Sequence, residues 1–121
     1  MKRVLIVDDS PVGRMILARL VGRCGWEVTA AGGGREALER IQADPPDVVF
    51  LDLLMPGMDG LQVLEELRMR SLDVPVVVLT SDVQEATRAR CEAFGIHAYL
   101  TKPVTEATVA ATLTTVPGVT V

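Results

Sequence analysis

VLIVDDS, at residues 4–10, is the most informative stretch of this chain, because four apolar residues run directly into Asp8, Asp9 and Ser10. Three later runs, mostly apolar, also end in side chains that can bind an ion or a phosphoryl group. Short apolar runs are typical of buried parallel strands, whose carboxyl ends form the ligand-binding edge of an α/β sheet. The sequence therefore predicts one polar site assembled from four separated stretches. The later runs are residues 48–51 before Asp52, residues 76–79 before Thr80 and Ser81, and residues 98–101 before Lys102 and Pro103.

The charges at this predicted edge favour a divalent cation. Asp8, Asp9 and Asp52 against Lys102 leave about two negative charges, which suits an ion with oxygen ligands such as Mg²⁺. The acidic pair also argues against a loop that binds a nucleotide phosphate, since such a loop would be rich in glycine or hydroxyl groups. We therefore predict a magnesium site built around a nucleophilic aspartate.

Helical patterns occupy the stretches between these runs, so that strand and helix signals alternate about five times. The alternation predicts a doubly wound parallel sheet with helices on both faces, folded as one domain over residues 1–121 with no output domain. Asp9 or Ser10 is expected to cap the first helix, with Pro11 in its first position. A fourth helix, at about residues 83–94, has only a thin apolar stripe. The predicted inward stripes are Ile16, Leu17, Leu20, Val21 and Cys24 in the first helix; Ala37, Leu38 and Ile41 in the second; Leu61, Leu64 and Leu67 in the third; Ala86, Ala89 and Ala93 in the fourth; and Val109, Leu113 and Val116 in the fifth.

Composition and charge exclude several other classes of protein. The chain has 121 residues, a net charge of −4 and a pI near 4.9, which argues against a nucleic-acid surface because phosphate binding requires a basic face. No apolar stretch approaches the length that spans a membrane, and no signal peptide opens the chain. Cys24 and Cys91 have neither metal-ligand spacing nor a disulfide framework. These features predict a cytoplasmic protein with reduced thiols that binds neither nucleic acid nor membrane.

Taken together, the polar strand ends resemble those of the receiver domain of bacterial two-component response regulators. The resemblance rests on Asp8-Asp9-Ser10, on Asp52 with MPGMDG at residues 55–60 behind it, on Thr80-Ser81 and on Lys102-Pro103. It covers essentially the whole chain, and the combination of motifs is specific although each dipeptide alone is weak. It implies a stand-alone receiver with a flavodoxin-like, five-stranded parallel sheet in the order 2-1-3-4-5.

The resemblance also implies a role for each polar residue at the sheet edge. Asp52 would accept the phosphoryl group. Asp9, Asp52 and the backbone carbonyl of Leu54 would ligate Mg²⁺, with Asp8 contributing directly or through water. Lys102 and the hydroxyl of Thr80 would each bind a phosphoryl oxygen, because an attacking carboxylate and a phosphoryl group repel one another unless their charge is neutralised. The phosphoryl donor would be a sensor histidine kinase or a histidine phosphotransfer protein. Such a domain is a signalling module rather than an enzyme with a separate substrate.

Tyr99 lies three residues before Lys102, the position at which receivers carry their switch aromatic. If Thr80 moves toward the phosphoryl group, it leaves space into which the Tyr99 ring can turn. This movement would remodel the surface of the fourth helix, the fifth strand and the fifth helix. The thin apolar stripe of the fourth helix suits an element that shifts easily.

Two further surfaces are predicted to bind partners. In the first helix, exposed apolar residues beside the acidic site would form a kinase-docking surface with the loop after Lys102. In the fifth helix, no charged residue follows Glu106, and the outward face is small and uncharged where a soluble domain normally carries Lys, Glu or Arg. We expect this face to meet a downstream output protein, or a second copy of the chain, when the domain is phosphorylated. The docking residues are Val12, Met15, Pro103 and Val104, and the output face is represented by Ala107, Ala111 and Thr115.

Other classes share parts of this pattern. An aspartyl-phosphate phosphohydrolase of the haloacid dehalogenase kind carries its nucleophile after the first strand and a second aspartate two positions later, a spacing that Asp8-Asp9-Ser10 lacks. A flavodoxin-like cofactor binder is disfavoured by the acidic first loop and by an aromatic content of only 3%. A receiver fragment of a larger regulator or hybrid kinase fits as well as a stand-alone receiver. His97, the only histidine, is more typical of a structural residue than of a phosphodonor.

Overall fold

The apolar runs form one parallel sheet within residues 2–118, the part of the chain that this computed structural model describes. The strand order is β2-β1-β3-β4-β5, and all neighbouring strands are parallel. This result confirms the predicted order. The strands are β1 (Arg3–Val7), β2 (Glu27–Ala31), β3 (Val48–Asp52), β4 (Val76–Thr80) and β5 (Ala98–Thr101).

Two layers of helices cover the sheet, because alternate residues of each buried strand point to opposite faces. The helices are α1 (Pro11–Gly22), α2 (Gly34–Ala43), α3 (Gly60–Met69), α4 (Glu85–Glu92) and α5 (Glu106–Thr114). In β1, Leu5 and Val7 belong to one core cluster, whereas Val4 and Ile6 belong to the other. The first cluster includes buried residues of α2, α3 and α4, and the second includes buried residues of α1 and α5.

The register of the strands brings their carboxyl ends to one edge. Asp52 lies opposite Leu79, and Thr80 lies opposite Thr101. The N–H of Lys102 then donates a hydrogen bond to the carbonyl of Thr80 at 2.8 Å, so that the β4–β5 pairing extends to the lysine. The loops after β1, β3, β4 and β5 consequently surround a common position at this edge.

The first helix begins as predicted, but the face that it buries is narrower than predicted. Ser10 is the N-cap, its hydroxyl accepts a hydrogen bond from the N–H of Gly13, and Pro11 is the first helical residue. Leu17 and Val21, one helical turn apart, are buried against the sheet. Ile16, predicted to face inward, is 53% exposed. The prediction was wrong because the buried stripe is narrow, and the residue preceding Leu17 lies about 100° around the helix from it.

The fourth helix is also shorter and differently oriented than predicted. It spans Glu85–Glu92 rather than residues 83–94, and its buried residue is Cys91. Ala86, Ala89 and Ala93, the predicted stripe, are all exposed. A small alanine fits either side of a helix, so alanine spacing alone does not identify the buried face. By contrast, the stripes predicted for α2 and α5 are confirmed, since Ala37, Leu38, Ile41, Val109, Leu113 and Val116 are all buried.

Candidate functional site

Three carboxylates meet at the carboxyl edge of the sheet. Asp8 and Asp9 follow β1, Asp52 ends β3, and each has a carboxylate oxygen within 4.8 Å of the others'. Asp8 and Asp52 are buried, whereas Asp9 is exposed. An all-oxygen donor set with one side open to solvent fits a hard divalent ion that keeps several waters.

Lys102 supplies the opposing charge. Its Nζ lies 3.4 Å from Oδ2 of Asp52 and 3.7 Å from Oδ2 of Asp8, and about a third of its side chain is exposed. The ammonium therefore reaches both buried carboxylates from the rim of the site. A phosphoryl group on Asp52 would lie within its reach.

Burial raises the pKa of Asp52 above its ordinary value. Two contacts lower this pKa and partly oppose the effect of burial. The N–H of Leu54 donates to Oδ1 of Asp52 at 3.2 Å, and the ammonium of Lys102 attracts the carboxylate. The charge of Asp8 raises the pKa further. The effect of burial on the pKa is larger than the opposing effect of these contacts, so the environment of Asp52 disfavours an uncompensated negative charge. A divalent cation bound by the carboxylates would supply that neutralisation.

Asp8 is held by contacts that sequence reasoning missed. The N–H of Ser10 donates to Oδ1 of Asp8 at 2.9 Å, and Nη1 of Arg14 donates to the Asp8 backbone carbonyl at 2.6 Å. A Cβ on Gly13 would lie 2.5 Å from Oδ2 of Asp8, closer than real contacts allow. Gly13 therefore leaves the space that Asp8 occupies. A glycine in the first turn of a helix, where alanine is normally preferred, is the signal that could have identified it.

A second glycine closes the loop after Asp52. A Cβ on Gly60 would lie 2.7 Å from Cα of Leu53 and 2.8 Å from the carbonyl oxygen of Asp52. Asp59 starts α3 with a capping box, accepting from the N–H of Gln62 while the Gln62 side chain accepts from the N–H of Asp59. The motif at residues 55–60 thus returns the chain tightly across the strand end. Leu54 lies on this loop with its side chain 66% exposed, and the metal-ligand role of its carbonyl stays a prediction.

Thr80 and Tyr99 both form hydrogen bonds with the backbone of Asp82, in the loop between β4 and α4. Thr80 is fully buried, and its hydroxyl oxygen accepts from the N–H of Asp82 at 3.0 Å. Tyr99 is half-buried, and its hydroxyl donates to the carbonyl of Asp82 at 2.9 Å, while the guanidinium of Arg88 lies 5.5 Å from the ring centre. Burial raises the pKa of the Tyr99 phenol, so the hydroxyl stays protonated and able to donate.

Two of the predicted docking residues line an apolar cavity next to the site, and the other two are exposed on α1. Val12 and Met15 are 60% and 50% exposed on α1. Pro103 and Val104 line a cavity of about 390 Å³ that ends at Asp52 and Lys102. Ile16 and Leu20 line it as well, so the exposed Ile16 extends the apolar surface beyond the residues that the sequence indicated.

The predicted output face of α5 is exposed. Ala107, Ala111 and Thr115 all lie on its solvent side. The hydroxyl of Thr115 is 2.7 Å from Nε2 of His97 and donates its own proton to the carbonyl of Thr112. His97 therefore donates to Thr115 and connects the start of β5 to the end of α5. This position agrees with a structural histidine.

The site and fold define a receiver domain. A family model described as the response regulator receiver domain matches residues 4–114, and the chain belongs to this family. The family takes part in two-component signalling, and phosphorylation and magnesium binding are typical of it. No helix within residues 2–118 has the length and apolar character needed to cross a membrane.

Curated relatives are longer proteins. The sensory/regulatory protein RpfC of Xanthomonas campestris is 41% identical over an alignment 116 residues long, which covers 92% of this chain and 16% of that protein. The response regulator MprA of Mycolicibacterium vanbaalenii is 42% identical over 101 residues, which are 84% of this chain and 44% of that protein. The chain therefore spans less than half the length of either relative.

Solved structures match the chain over nearly its whole length. The chemotaxis protein CheY4 of Vibrio cholerae superposes with a TM-score of 0.88 at 34% identity, covering 96% of this chain and 98% of that one. The receiver domain of the Francisella response regulator 1452 superposes with a TM-score of 0.88 at 27% identity, covering 94% of each chain. These similarities agree with the strand order.

Proposed function

We propose that this receiver accepts a phosphoryl group on Asp52 and thereby changes its α4–β5–α5 surface, which controls a partner protein. The observation that carries the proposal is the convergence of Asp8, Asp9 and Asp52 with Lys102 at one sheet edge. We assign the nucleophile to Asp52 because it is buried and is nearer than Asp8 to the Lys102 ammonium.

The chemistry uses groups that are already in place. A carboxylate oxygen of Asp52 forms a bond to phosphorus while the bond from phosphorus to the donor nitrogen of a phosphohistidine breaks, and that electron pair leaves with the nitrogen. Lys102 binds a phosphoryl oxygen as a point charge, and Thr80 turns its hydroxyl to donate to another. No general base is required, because the attacking carboxylate carries no proton.

Asp8, Asp9 and Asp52 would hold Mg²⁺, with the Leu54 carbonyl as a further ligand. When bound, the ion would neutralise charge on the carboxylates and the phosphoryl oxygens. The chain itself positions the metal-binding carboxylates. Gly13 leaves space for the Asp8 carboxylate, and the N–H of Ser10 donates a hydrogen bond that orients it.

The phosphoryl donor is a sensor histidine kinase or a histidine phosphotransfer protein, and it docks on the apolar surface beside the site. Val12, Met15 and Ile16 on α1 are each at least half exposed, and Pro103 and Val104 continue the surface across the cavity. Exposed apolar residues of this extent are characteristic of contact surfaces. Substitutions on this surface should therefore lower the rate of phosphoryl transfer from a protein donor more than the rate of phosphorylation by a small molecule.

The output partner meets the outward face of α5. Ala107, Ala111 and Thr115 leave this face flat and uncharged, so that another backbone can approach closely. We place this face in the α4–β5–α5 surface that phosphorylation changes, by analogy with the family. The partner is an output protein, and a second copy of this chain is the alternative that a measurement of oligomeric state distinguishes.

The acceptor is tested by intact-mass spectrometry after incubation with acetyl phosphate and Mg²⁺. The wild-type protein should gain one phosphoryl group, whereas Asp52→Asn should gain none. Asp47→Asn, an exposed aspartate before β3, is the matched control and should be labelled like the wild type. Equal labelling of the Asp52→Asn variant would contradict the assignment.

A further inference from the structure

Arg14 connects α1 to the loop between β2 and α2. Its side chain is half-buried, and its Nη1 donates to the carbonyl of Asp8 at 2.6 Å. The guanidinium also lies beside Gly32, the first residue after β2. A Cβ built at this glycine would be 3.3 Å from Nη1 and 3.9 Å from Cζ of Arg14. A branched side chain at position 32 would therefore displace the guanidinium.

The contact with Arg14 fixes the peptide group between two of the predicted metal ligands. The carbonyl of Asp8 belongs to the peptide that joins Asp8 to Asp9, and rotation of this peptide would change how the two carboxylates are oriented. On the other side of Asp8, its N–H donates to the carbonyl of Ala31, the last residue of β2, at 3.2 Å. Both peptide groups of Asp8 are therefore held from β2 and the residue that packs beside it.

Arg14 has no carboxylate that would account for its position. Within residues 2–118 it forms no salt bridge, and Glu36, which accepts from the N–H of Gly32 at 3.3 Å, pairs with Arg40 at 3.5 Å. Its charge lies next to the acidic cluster, where it opposes the binding of another cation. The hydrogen bond to Asp8 is therefore the contribution of Arg14 that favours a metal site.

We propose that Arg14, held beside Gly32, is a positioning residue that orients Asp8 and Asp9 for Mg²⁺. The proposal rests on the function proposed above, since it requires Mg²⁺ at the acidic cluster. Arg14 acts through the peptide between the two ligands and touches neither the ion nor the phosphoryl group. The loop after β2 thereby becomes part of the metal site, although it supplies no ligand.

The first test measures Mg²⁺ affinity by isothermal titration calorimetry in Arg14→Met. This variant keeps a long side chain with good helix propensity but removes the hydrogen bond and the charge. Its Mg²⁺ affinity should be about tenfold lower than that of the wild type, as for other residues that orient metal ligands. An effect of charge alone has the opposite sign, because removing a cation strengthens Mg²⁺ binding. Arg14→Lys keeps a donor and the charge and should bind Mg²⁺ within about threefold of the wild type.

A matched pair of glycine variants leaves Arg14 itself unchanged. Gly32→Val displaces the guanidinium and should lower Mg²⁺ affinity about threefold or more. Gly33→Val is the control, because a Cβ there meets nothing within 4 Å and its φ of −175° is extended. Gly33 is the N-cap of α2, where valine is unfavourable, so this variant should unfold at a lower temperature yet bind Mg²⁺ normally. The pair thus separates loss of stability from loss of metal binding.

Hydrogen exchange in EDTA tests the positioning without any metal. The amides of Asp8 and Ser10 donate to Ala31 and to the Asp8 carboxylate, so both report on the acidic loop. In Arg14→Met, they should exchange about threefold faster or more than in the wild type. Unchanged exchange at both amides would overturn the proposal.

The calorimetry can also overturn it. Arg14→Met that binds Mg²⁺ as tightly as the wild type or more tightly, Arg14→Lys that binds as weakly as Arg14→Met, or Gly32→Val that binds like Gly33→Val would each do so. Failure of the wild-type protein to bind Mg²⁺ would instead contradict the metal site of the proposed function. The two failures are distinguishable, because the variants are compared with a wild-type protein that binds the ion.

Discussion

At the scale of single residues, the site depends on space as much as on charge. Asp8 can lie beside Asp52 only because Gly13 has no side chain, and its orientation is fixed by the Ser10 N–H. The acidic residues were evident in the sequence, since they follow apolar runs. The role of Gly13 was not evident in the sequence, because it depends on a contact with Asp8 across the turn between β1 and α1, which no spacing rule describes.

Gly13→Ala should weaken Mg²⁺ binding by about tenfold or more, because the new Cβ displaces a carboxylate that the ion needs. Isothermal titration calorimetry measures this affinity directly. Gly22→Ala, in the same helix, is the control: a Cβ there meets nothing within 4 Å. That variant should bind Mg²⁺ normally and gain up to about 1 kcal/mol of stability from helix propensity. Equal affinities in the two variants would contradict the role of Gly13.

Asp52→Asn should stabilise the protein at neutral pH when EDTA keeps it free of metal. Burial raises the pKa of Asp52, so the folded state binds this proton more tightly than the unfolded state does. Ionisation therefore destabilises the fold as pH rises from the ordinary pKa of an aspartate to the raised value. The gain from Asp52→Asn should consequently be present at pH 7 and shrink as pH falls below the ordinary pKa.

Urea unfolding of both proteins across this pH range measures the effect of Asp52. Asp73→Asn, at an exposed aspartate outside the cluster, is the control and should change little. A destabilised Asp52→Asn protein at pH 7 without metal would show that the attraction of Lys102 exceeds the effect of burial.

At the scale of elements, the strands were predictable and two helical faces were not. A buried parallel strand is apolar throughout, so its residues identify it without any choice of face. A helix requires that choice, and in α1 the apolar Ile16 is exposed at the cavity instead of packing on the sheet. In α4 the alanines gave no preference, and the buried position is occupied by Cys91. Both errors fall on surfaces proposed to function.

Met15→Lys on α1 should lower the rate of phosphoryl transfer from the cognate kinase by about tenfold or more, because a charge would enter an apolar contact. Phosphorylation by acetyl phosphate should be unchanged, since Met15 does not contact the acidic groups. The control is Met69→Lys, which alters a methionine that is 71% exposed on α3. Kinase transfer and acetyl-phosphate labelling that fall together in Met15→Lys would contradict a docking role.

Ala111→Arg on α5 should weaken phosphorylation-dependent association about tenfold or more, because a long charged side chain prevents close approach to the flat face. Labelling of Asp52 should be unchanged. Ala43→Arg, at an exposed alanine on α2, is the control. Binding to the output protein is measured by calorimetry, and self-association by sedimentation. If neither changes in Ala111→Arg, this face takes no part in output.

At the scale of the whole molecule, parallel topology explains why distant residues form one site. Residues 8, 52, 80 and 102 are far apart in sequence, yet each ends or follows a strand whose carboxyl end lies at the same edge. This convergence was predictable from the sequence. The hydrogen bonds of Asp82 were not, because they join a loop to β4, to β5 and to α4 through contacts that only the assembled fold creates.

The most direct test of the central claim is chemical trapping of the phosphorylated residue. Borohydride reduces an aspartyl phosphate to homoserine, and peptide mass spectrometry then locates that residue. After treatment with acetyl phosphate and Mg²⁺, homoserine should be found at position 52, and EDTA should abolish most of it. Homoserine at position 8, 9 or 59 in place of position 52 would contradict the account.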